Sequence, residues 1–281
     1  MMKDQPITDS NPAPAIITVA PNGAYKQKAD HPALPVTIAE VAQAAEQAWQ
    51  AGATMIHAHA RDNQGRHSLD PELNQQVWDA IRERLDNKIV VQLTTEAAGI
   101  YQPEQQMQMV RQVKPEAVSL ALRELIPDSS AEPEASRFFH WIAEQQIMPQ
   151  YILYSEQELA WYKQLHSQGI IPDQPHQLLF VLGRYHSQQQ SSPLDLEPFL
   201  TSDTHNLNWM VCAFGKQENL CARRALELGG DVRVGFENNL LNSQGVAALN
   251  NAELVQQVSD QACRLNRLLM TADQFRAKFK A

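Results

Sequence analysis

The run Thr54-Met55-Ile56-His57-Ala58-His59 ends an apolar stretch on two histidines one residue apart. In an extended strand side chains alternate between faces, so residues two apart point the same way and both imidazoles converge on one spot. A second segment, Asp231-Val232-Arg233-Val234-Gly235-Phe236-Glu237, places Arg233 and Glu237 on one face by the same alternation. Two histidines and a glutamate make a three-ligand zinc set that leaves a coordination position open for substrate. The arginine would clamp a substrate carboxylate with its planar fork. Plainer alternatives stay open: the His-x-His pair as two hydrogen-bonded histidines of a polar rim, and Arg233 as a buried structural partner of Glu237.

The elements that must position these residues follow from hydrophobic spacing. Short apolar, β-branched runs predict strands at Ile16 to Ala20, Met55 to His59, Ile89 to Thr94, Ala117 to Leu120, Gln150 to Leu153, Leu178 to Leu182, Trp209 to Ala213 and Val232 to Gly235. Helical spacing links Ile38, Val41, Ala42, Ala45, Ala48 and Trp49, then Leu73, Val77, Ala80, Ile81 and Leu85, then Met107, Val110 and Val113. Pro71, Pro103 and Pro133 stand where helices begin, and Gly229-Gly230 closes another before the last strand. Strand alternating with helix through eight units predicts parallel pairing and a single-domain (β/α)8 TIM barrel over residues 14–281, behind a flexible extension at residues 1–13. Active sites of this architecture gather at the C-terminal strand ends, where His57, His59, Thr94 and Glu237 all fall. In a closed barrel strand eight neighbours strand one, which neighbours strand two, so the glutamate and both histidines can reach one ion.

Composition narrows the partners. With 281 residues, 43% hydrophobic and 20% charged, the chain can bury a large core. A formal net charge of -9 argues against nucleic acid or an anionic membrane surface as the main partner. Cys212, Cys221 and Cys263 are too few for a disulfide framework and read as core thiols, which suits a cytoplasmic chain. Trp49, Trp78 and Trp141 read as core, Gln188 to Gln190 as loop, and Arg61-Asp62 with Asn63-Gln64-Gly65 as a turn whose arginine orients the rim. No apolar run approaches the length of a membrane span.

Thr18-Val19-Ala20-Pro21-Asn22-Gly23-Ala24, His57-Ala58-His59-Ala60-Arg61 with Gly65, Lys114-Pro115-Glu116, Val181-Leu182-Gly183 and Val232-Arg233-Val234-Gly235-Phe236-Glu237-Asn238-Asn239 together resemble the β-keto acid cleavage enzymes, of which the 3-keto-5-aminohexanoate cleavage enzyme is the named member. The similarity runs from about Ile16 to the C-terminus. It implies a barrel with one Zn2+ per chain, usually a homotetramer, that condenses a β-keto acid with acetyl-CoA to give acetoacetate and a new acyl-CoA. By this resemblance His57, His59 and Glu237 hold the metal, Arg233, Thr94 and Asn238 occupy catalytic positions, and Asn22, Tyr25 and Ser119 face the substrate; Glu96 and Glu124 join the substrate-facing set from their place at the rim, where they depart from the family.

Departures from the family pattern shape the expectation. Asn238 replaces an aspartate and cannot take a proton as a base. Ile152 stands where the family has a strand-five glutamate, and Tyr25 stands where the named member has a glutamate for its substrate's ammonium, which makes an amino-bearing keto acid a poor candidate. Thr95-Glu96, Leu122-Arg123-Glu124 and Arg184-Tyr185-His186-Ser187 add bulk and charge where family members carry small residues, and Glu96 and Glu124 are candidate replacements for the lost acid/base function; each is equally a loop ion-pair partner. CoA enters through the resemblance alone, since no glycine-rich phosphate loop or basic cluster marks a site for it. Two other readings remain: an aldolase-like or hydrolytic lyase without CoA, and a catalytically impaired barrel that binds a keto acid.

Overall fold

Eight β-branched runs become eight strands because each buries both faces, one against helices and one inside a closed barrel. The computed structural model describes residues 12–186, 188–201, 204 and 206–279. Residues 1–11 of the expected N-terminal extension lie outside the described residues, as does Ser187. The strands are β1 (Ile17–Val19), β2 (Met55–Ala58), β3 (Val90–Thr94), β4 (Ala117–Ala121), β5 (Met148–Leu153), β6 (Gln177–Leu182), β7 (Trp209–Ala213) and β8 (Asp231–Val234), all parallel in one closed barrel. Closure falls at β1, where Thr18 pairs with Met55 of β2 on one side and with Arg233 of β8 on the other. This register carries the histidine strand and the arginine strand to the two edges of β1.

Alternation sorts the side chains. Ile17, Val19, Ile56, Ala58, Val91, Leu93, Val118, Leu120, Val232 and Val234 join the main core beneath the helices, whereas Met55, Val90, Ala117, Met148, Leu179 and Met210 fill the barrel interior. The helices α1 (Ile38–Gln50), α2 (Pro71–Leu85) and α3 (Pro103–Val113) cover the first three units. Thr37 and Glu40 cap α1 reciprocally, Asp70 caps α2 ahead of Pro71, and Pro103 opens α3. Of the α1 positions the helical spacing selects, Val41, Ala42, Ala45 and Ala48 are buried, with Ala44 beside them, whereas Ile38 and Trp49 are only partly buried. Trp49, Trp78 and Trp141 are only partly buried and pack against that core.

The later units are less regular. A one-turn helix α4 (Leu122–Leu125) follows β4 before α5 (Glu132–Glu144), which carries Pro133 in its first turn, and α6 (Glu156–Ser167) follows β5. After β6 the predicted full helix is reduced to a 3-10 turn, Pro193–Leu196, and α7 (Glu197–Leu200). The fifth strand begins at Met148, two residues before the predicted Gln150, because Met148 and Pro149 continue the ladder against Ala117 and Val118. Helices α8 (Glu218–Glu227) and α9 (Asn251–Arg264) complete the ring. Cys212 and Cys221 are buried, but Cys263 is exposed, because it lies on the outward face of α9, whose Val255, Val258 and Ala262 face the core. The last helix, α10 (Ala272–Phe279), crosses the N-terminal floor of the barrel, where Phe275 and Phe279 pack with Ile16, Met55 and Met148. Arg276 holds it there through Glu116 and the carbonyl oxygens of Asn87 and Ile89. Among the described residues no helix is long and apolar enough to cross a membrane.

One turn decides where the rim carboxylate goes. Strand β8 ends at Val234, and the chain reverses at Gly235, whose carbonyl accepts from the amides of Asn238 and Asn239. Glu237 therefore reaches the rim from a turn and not from a strand pleat, a different cause from the alternation the sequence suggests. Gly235 has φ +142, and a Cβ there would lie 2.4 Å from the Ala20 carbonyl oxygen. Gly235→Ala is expected to destabilise the fold by roughly 1–3 kcal/mol, read as a lower denaturant midpoint, and to displace Glu237 from the rim.

Candidate active site and metal centre

The His57 and His59 rings project from the end of β2 with their Nε2 atoms 3.0 Å apart. Glu237 Oε2 lies 3.6 Å from His57 Nε2 and 3.5 Å from His59 Nε2. Ligand atoms of these three residues are the one group among the described residues in which three or more His, Cys, Asp or Glu could hold a metal ion. Glu237 Oε2 is buried and has no hydrogen-bond partner, so an anionic lone pair points at two imidazole nitrogens with no proton donor assigned to it. Burial and then the Arg233 charge lower His57 to about 4, and burial lowers His59 well below its ordinary value, which keeps both rings neutral at physiological pH. Burial opposes ionisation of Glu237, but the Arg233 guanidinium outweighs it and holds the carboxyl well below the usual range. Two neutral nitrogens and one carboxylate oxygen are a donor set suited to a divalent first-row ion such as zinc.

Each donor is held from behind. His57 Nδ1 lies 2.7 Å from Gln92 Oε1. Asn22 brackets the backbone of His59, donating through Nδ2 to its carbonyl at 3.0 Å and accepting from its amide at 3.4 Å. His59 Nδ1 is 3.9 Å from Glu96 Oε2 and makes no hydrogen bond. Arg233 Nη2 donates to Glu237 Oε1 at 3.0 Å, to Cys212 Sγ at 3.1 Å and to Asn238 Oδ1 at 3.4 Å, while its Nε is buried without a partner. Arg61 binds backbone carbonyls of Asn22, Gly23, Lys26 and Gly65, and so ties the loop after β1 to the loop after β2.

The cavity in front of the donors measures about 30 Å³ and opens beside a second of about 210 Å³. The inner cavity is lined by the polar His57, Thr94, Glu96, Arg233 and Glu237 and by the apolar Ile152, Val181 and Phe214. The outer one is lined by Asn22, Tyr25, Lys26 and Gln189, and Glu96, Arg184 and Glu237 border both. Arg184 Nη2 pairs with Glu96 Oε1 at 3.1 Å, and its guanidinium lies 5.0 Å from the rings of both Tyr25 and Phe214. Burial and then the neighbouring Glu237 charge raise Glu96 to about 7. Glu124 also lines the inner cavity and is raised by burial, but its Oε2 accepts from the Ala97 amide and from Gln106 Nε2. Thr94 Oγ1 accepts from the Glu96 amide.

Not every expected residue meets the cavity. Ser119 is paired with Thr94 in the sheet, and its Oγ is buried without a partner, outside the cavity lining. Asn238 lies beneath Arg233, where its side chain also donates to Glu218 Oε1 and to the Arg233 carbonyl. Residues that sequence reasoning passed over complete the site. Lys26 Nζ donates to the Glu237 carbonyl at 2.6 Å, His67 Nε2 lies 2.8 Å from the Glu96 carbonyl, and Tyr154 lines the inner cavity. Gln92 was accessible to the strand period, being two residues before Thr94 on the inward face. Lys26, His67 and Glu218 come from loops and a helix end, where no period operates.

A closed parallel α/β barrel with a two-histidine, one-glutamate donor set at its C-terminal rim is the class of protein this fold and site define. The chain belongs to the β-keto acid cleavage enzyme family, whose sequence model matches residues 14–280. It is 31% identical over 268 residues to a 3-keto-5-aminohexanoate cleavage enzyme of Fusobacterium nucleatum, covering 93% of this chain and 96% of that protein. It is 27% identical over 275 residues to a 3-oxoadipate:acetyl-CoA acetyltransferase of Cupriavidus necator, covering 94% of each. Among solved structures, ObcA without ligand superposes with a TM-score of 0.71 at 16% identity, covering 88% of this chain; the chain spans 65% of the length of ObcA, and the likeness is one of fold.

Glu218 offers a test of the rim turn. It is buried, accepts from the Gly235 amide and from the side chains of Asn238 and Asn239, and burial pushes its carboxyl from 4.5 up to about 8. Between those values the folded chain keeps a proton that the unfolded chain has lost, so this group's contribution to stability falls as pH rises through the window. Denaturant midpoints of the wild type and Glu218→Gln, compared near pH 5 and near pH 8, are expected to shift in favour of the variant at the higher pH.

Proposed function

We propose that the chain is a zinc-dependent β-keto acid cleavage enzyme that combines a β-keto acid with acetyl-CoA and yields acetoacetate and an acyl-CoA. The observation that carries this reading is the convergence of His57 Nε2, His59 Nε2 and Glu237 Oε2 beside a buried arginine, in a chain of this family. His57, His59 and Glu237 would hold the ion, and bound there it supplies Lewis acidity toward the β-carbonyl. Arg233, with an unpartnered buried Nε, binds the substrate carboxylate. Glu96, held near neutrality at the border of both cavities, takes and returns the proton that Asn238 cannot accept. Glu124, with its Oε2 committed to two donors, fixes the loop that carries Glu96.

The rim also selects. Ile152, Val181 and Phe214 form the apolar part of the inner cavity's lining, which favours a keto acid with a short uncharged chain. Tyr25 offers no anion to an ammonium group, so an amino-bearing substrate is disfavoured. Acetyl-CoA is assigned by kinship with the transferases and not by a phosphate site in this chain. The family resemblance carries the reading of a homo-oligomer, a tetramer, and the three cysteines carry that of a cytoplasmic chain. Ligation of Asn238 to Arg233, Glu218 and Cys212 favours one rival, a barrel that binds a keto acid without turning it over.

Purified protein is expected to contain about one zinc ion per chain, and His57→Ala to lose most of it. A metal-free wild type, or unchanged metal content in the variant, refutes the proposal. Acetoacetate release is expected only when acetyl-CoA is present; equal release without it indicates a lyase, and thermal stabilisation by keto acids without turnover indicates a binding protein. Glu96→Gln is expected to lower kcat by roughly 10²–10⁴-fold with metal content unchanged.

A further inference from the structure

A line of amides crosses the barrel interior behind the metal-binding histidine. Gln92 on β3, Gln150 on β5 and Gln177 on β6 are fully buried, with Ala117 of β4 small enough to let the first two meet. Gln92 Nε2 donates to Gln150 Oε1 at 3.3 Å, Gln150 Nε2 donates to Gln177 Oε1 at 2.7 Å, and Gln177 Nε2 donates to Asp231 Oδ2 at 3.0 Å. At the near end Gln92 Oε1 faces His57 Nδ1 at 2.7 Å. At the far end the other oxygen of Asp231 accepts from the Ile16 amide at 2.9 Å and lies 3.7 Å from the Arg267 guanidinium.

Such a line has a direction. A primary amide donates at one end and accepts at the other, so each amide in an unbroken row fixes the next. Asp231 is the terminus whose sense is set independently: its other oxygen already accepts from the Ile16 amide beside the Arg267 guanidinium, and as a carboxylate it can only accept. Gln177 must then present its NH2 to Asp231, Gln150 its NH2 to Gln177, and Gln92 its NH2 to Gln150. Gln92 is left offering oxygen to His57, whose proton must sit on Nδ1. The Nε2 lone pair then faces His59 Nε2 at 3.0 Å and Glu237 Oε2 at 3.6 Å. We propose that Asp231 is a positioning residue which, relayed through Gln177, Gln150 and Gln92, fixes His57 in the Nδ1–H tautomer and so turns the Nε2 lone pair toward the ion. The inference rests on the metal reading of the site and deepens it: a partner on the outer nitrogen of a ligating histidine is spread here over four side chains.

Nitrogen-15 NMR of histidine-labelled, metal-free protein near neutral pH reads the tautomer directly. Wild-type His57 is expected to be protonated at Nδ1. Asp231→Asn keeps the size and an acceptor for the Ile16 amide but presents an NH2 to Gln177; the whole row reverses, Gln92 donates to Nδ1, and the proton moves to Nε2. Zinc affinity, measured by chelator competition, is then expected to fall about 10- to 100-fold. The double variant Asp231→Asn with Gln150→Glu restores an acceptor for Gln92 and is expected to recover both the tautomer and the affinity. An Nε2-protonated His57 in the wild type, or an Asp231→Asn chain that keeps Nδ1–H, overturns the assignment. Failure of the wild type to take up zinc would instead sink the metal reading, which separates the two.

Discussion

Holding an ionised Glu237 at the mouth of a closed barrel is the constraint around which the rest is arranged. A buried carboxylate is tolerated only where charge and hydrogen bonds compensate its lost hydration. One oxygen is met by Arg233. The other faces two neutral imidazoles and has no donor of its own, an arrangement that a shared cation would compensate. Arg233 is in turn steadied by Cys212 and Asn238, and Asn238 by Glu218. The turn at Gly235, the loop stitching by Arg61 and the bracket of Asn22 on His59 all hold the three donors in register.

Much of this was legible in the sequence, for definable reasons. Strand period alone brings His57 and His59 together and places Thr94 at a strand end, and the recurrence of strand and helix specifies the barrel and hence the adjacency of β8, β1 and β2. The same logic predicted Glu237 at the rim for the wrong local cause, because the alternation it used ends at Val234 and a turn takes over. The unit after β6 has almost no helix to detect, and Cys263 shows that an apolar residue type on a helix need not face inward. Lys26, His67 and Glu218 stayed hidden because they reach the site from segments without periodicity. Gln92, Gln150 and Gln177 sit at inward strand positions but look like ordinary polar residues until the closed barrel sets them side by side.

The rim substitutions read differently once placed. Glu96 and Arg184 form one ion pair between two cavities, flanked by the rings of Tyr25 and Phe214. Arg123, by contrast, points away to Glu158 and to the rings of Tyr154 and Tyr185. Its place is in the packing of the loop after β4, not in the lining of the cavity.

The aromatic floor formed by Phe275 and Phe279 makes the shaft of the barrel blind. Anything that reaches the donor atoms arrives from the loop side and departs by the same door. Whatever occupies the inner cavity therefore shares one opening with whatever leaves it, and the rim loops govern both passages.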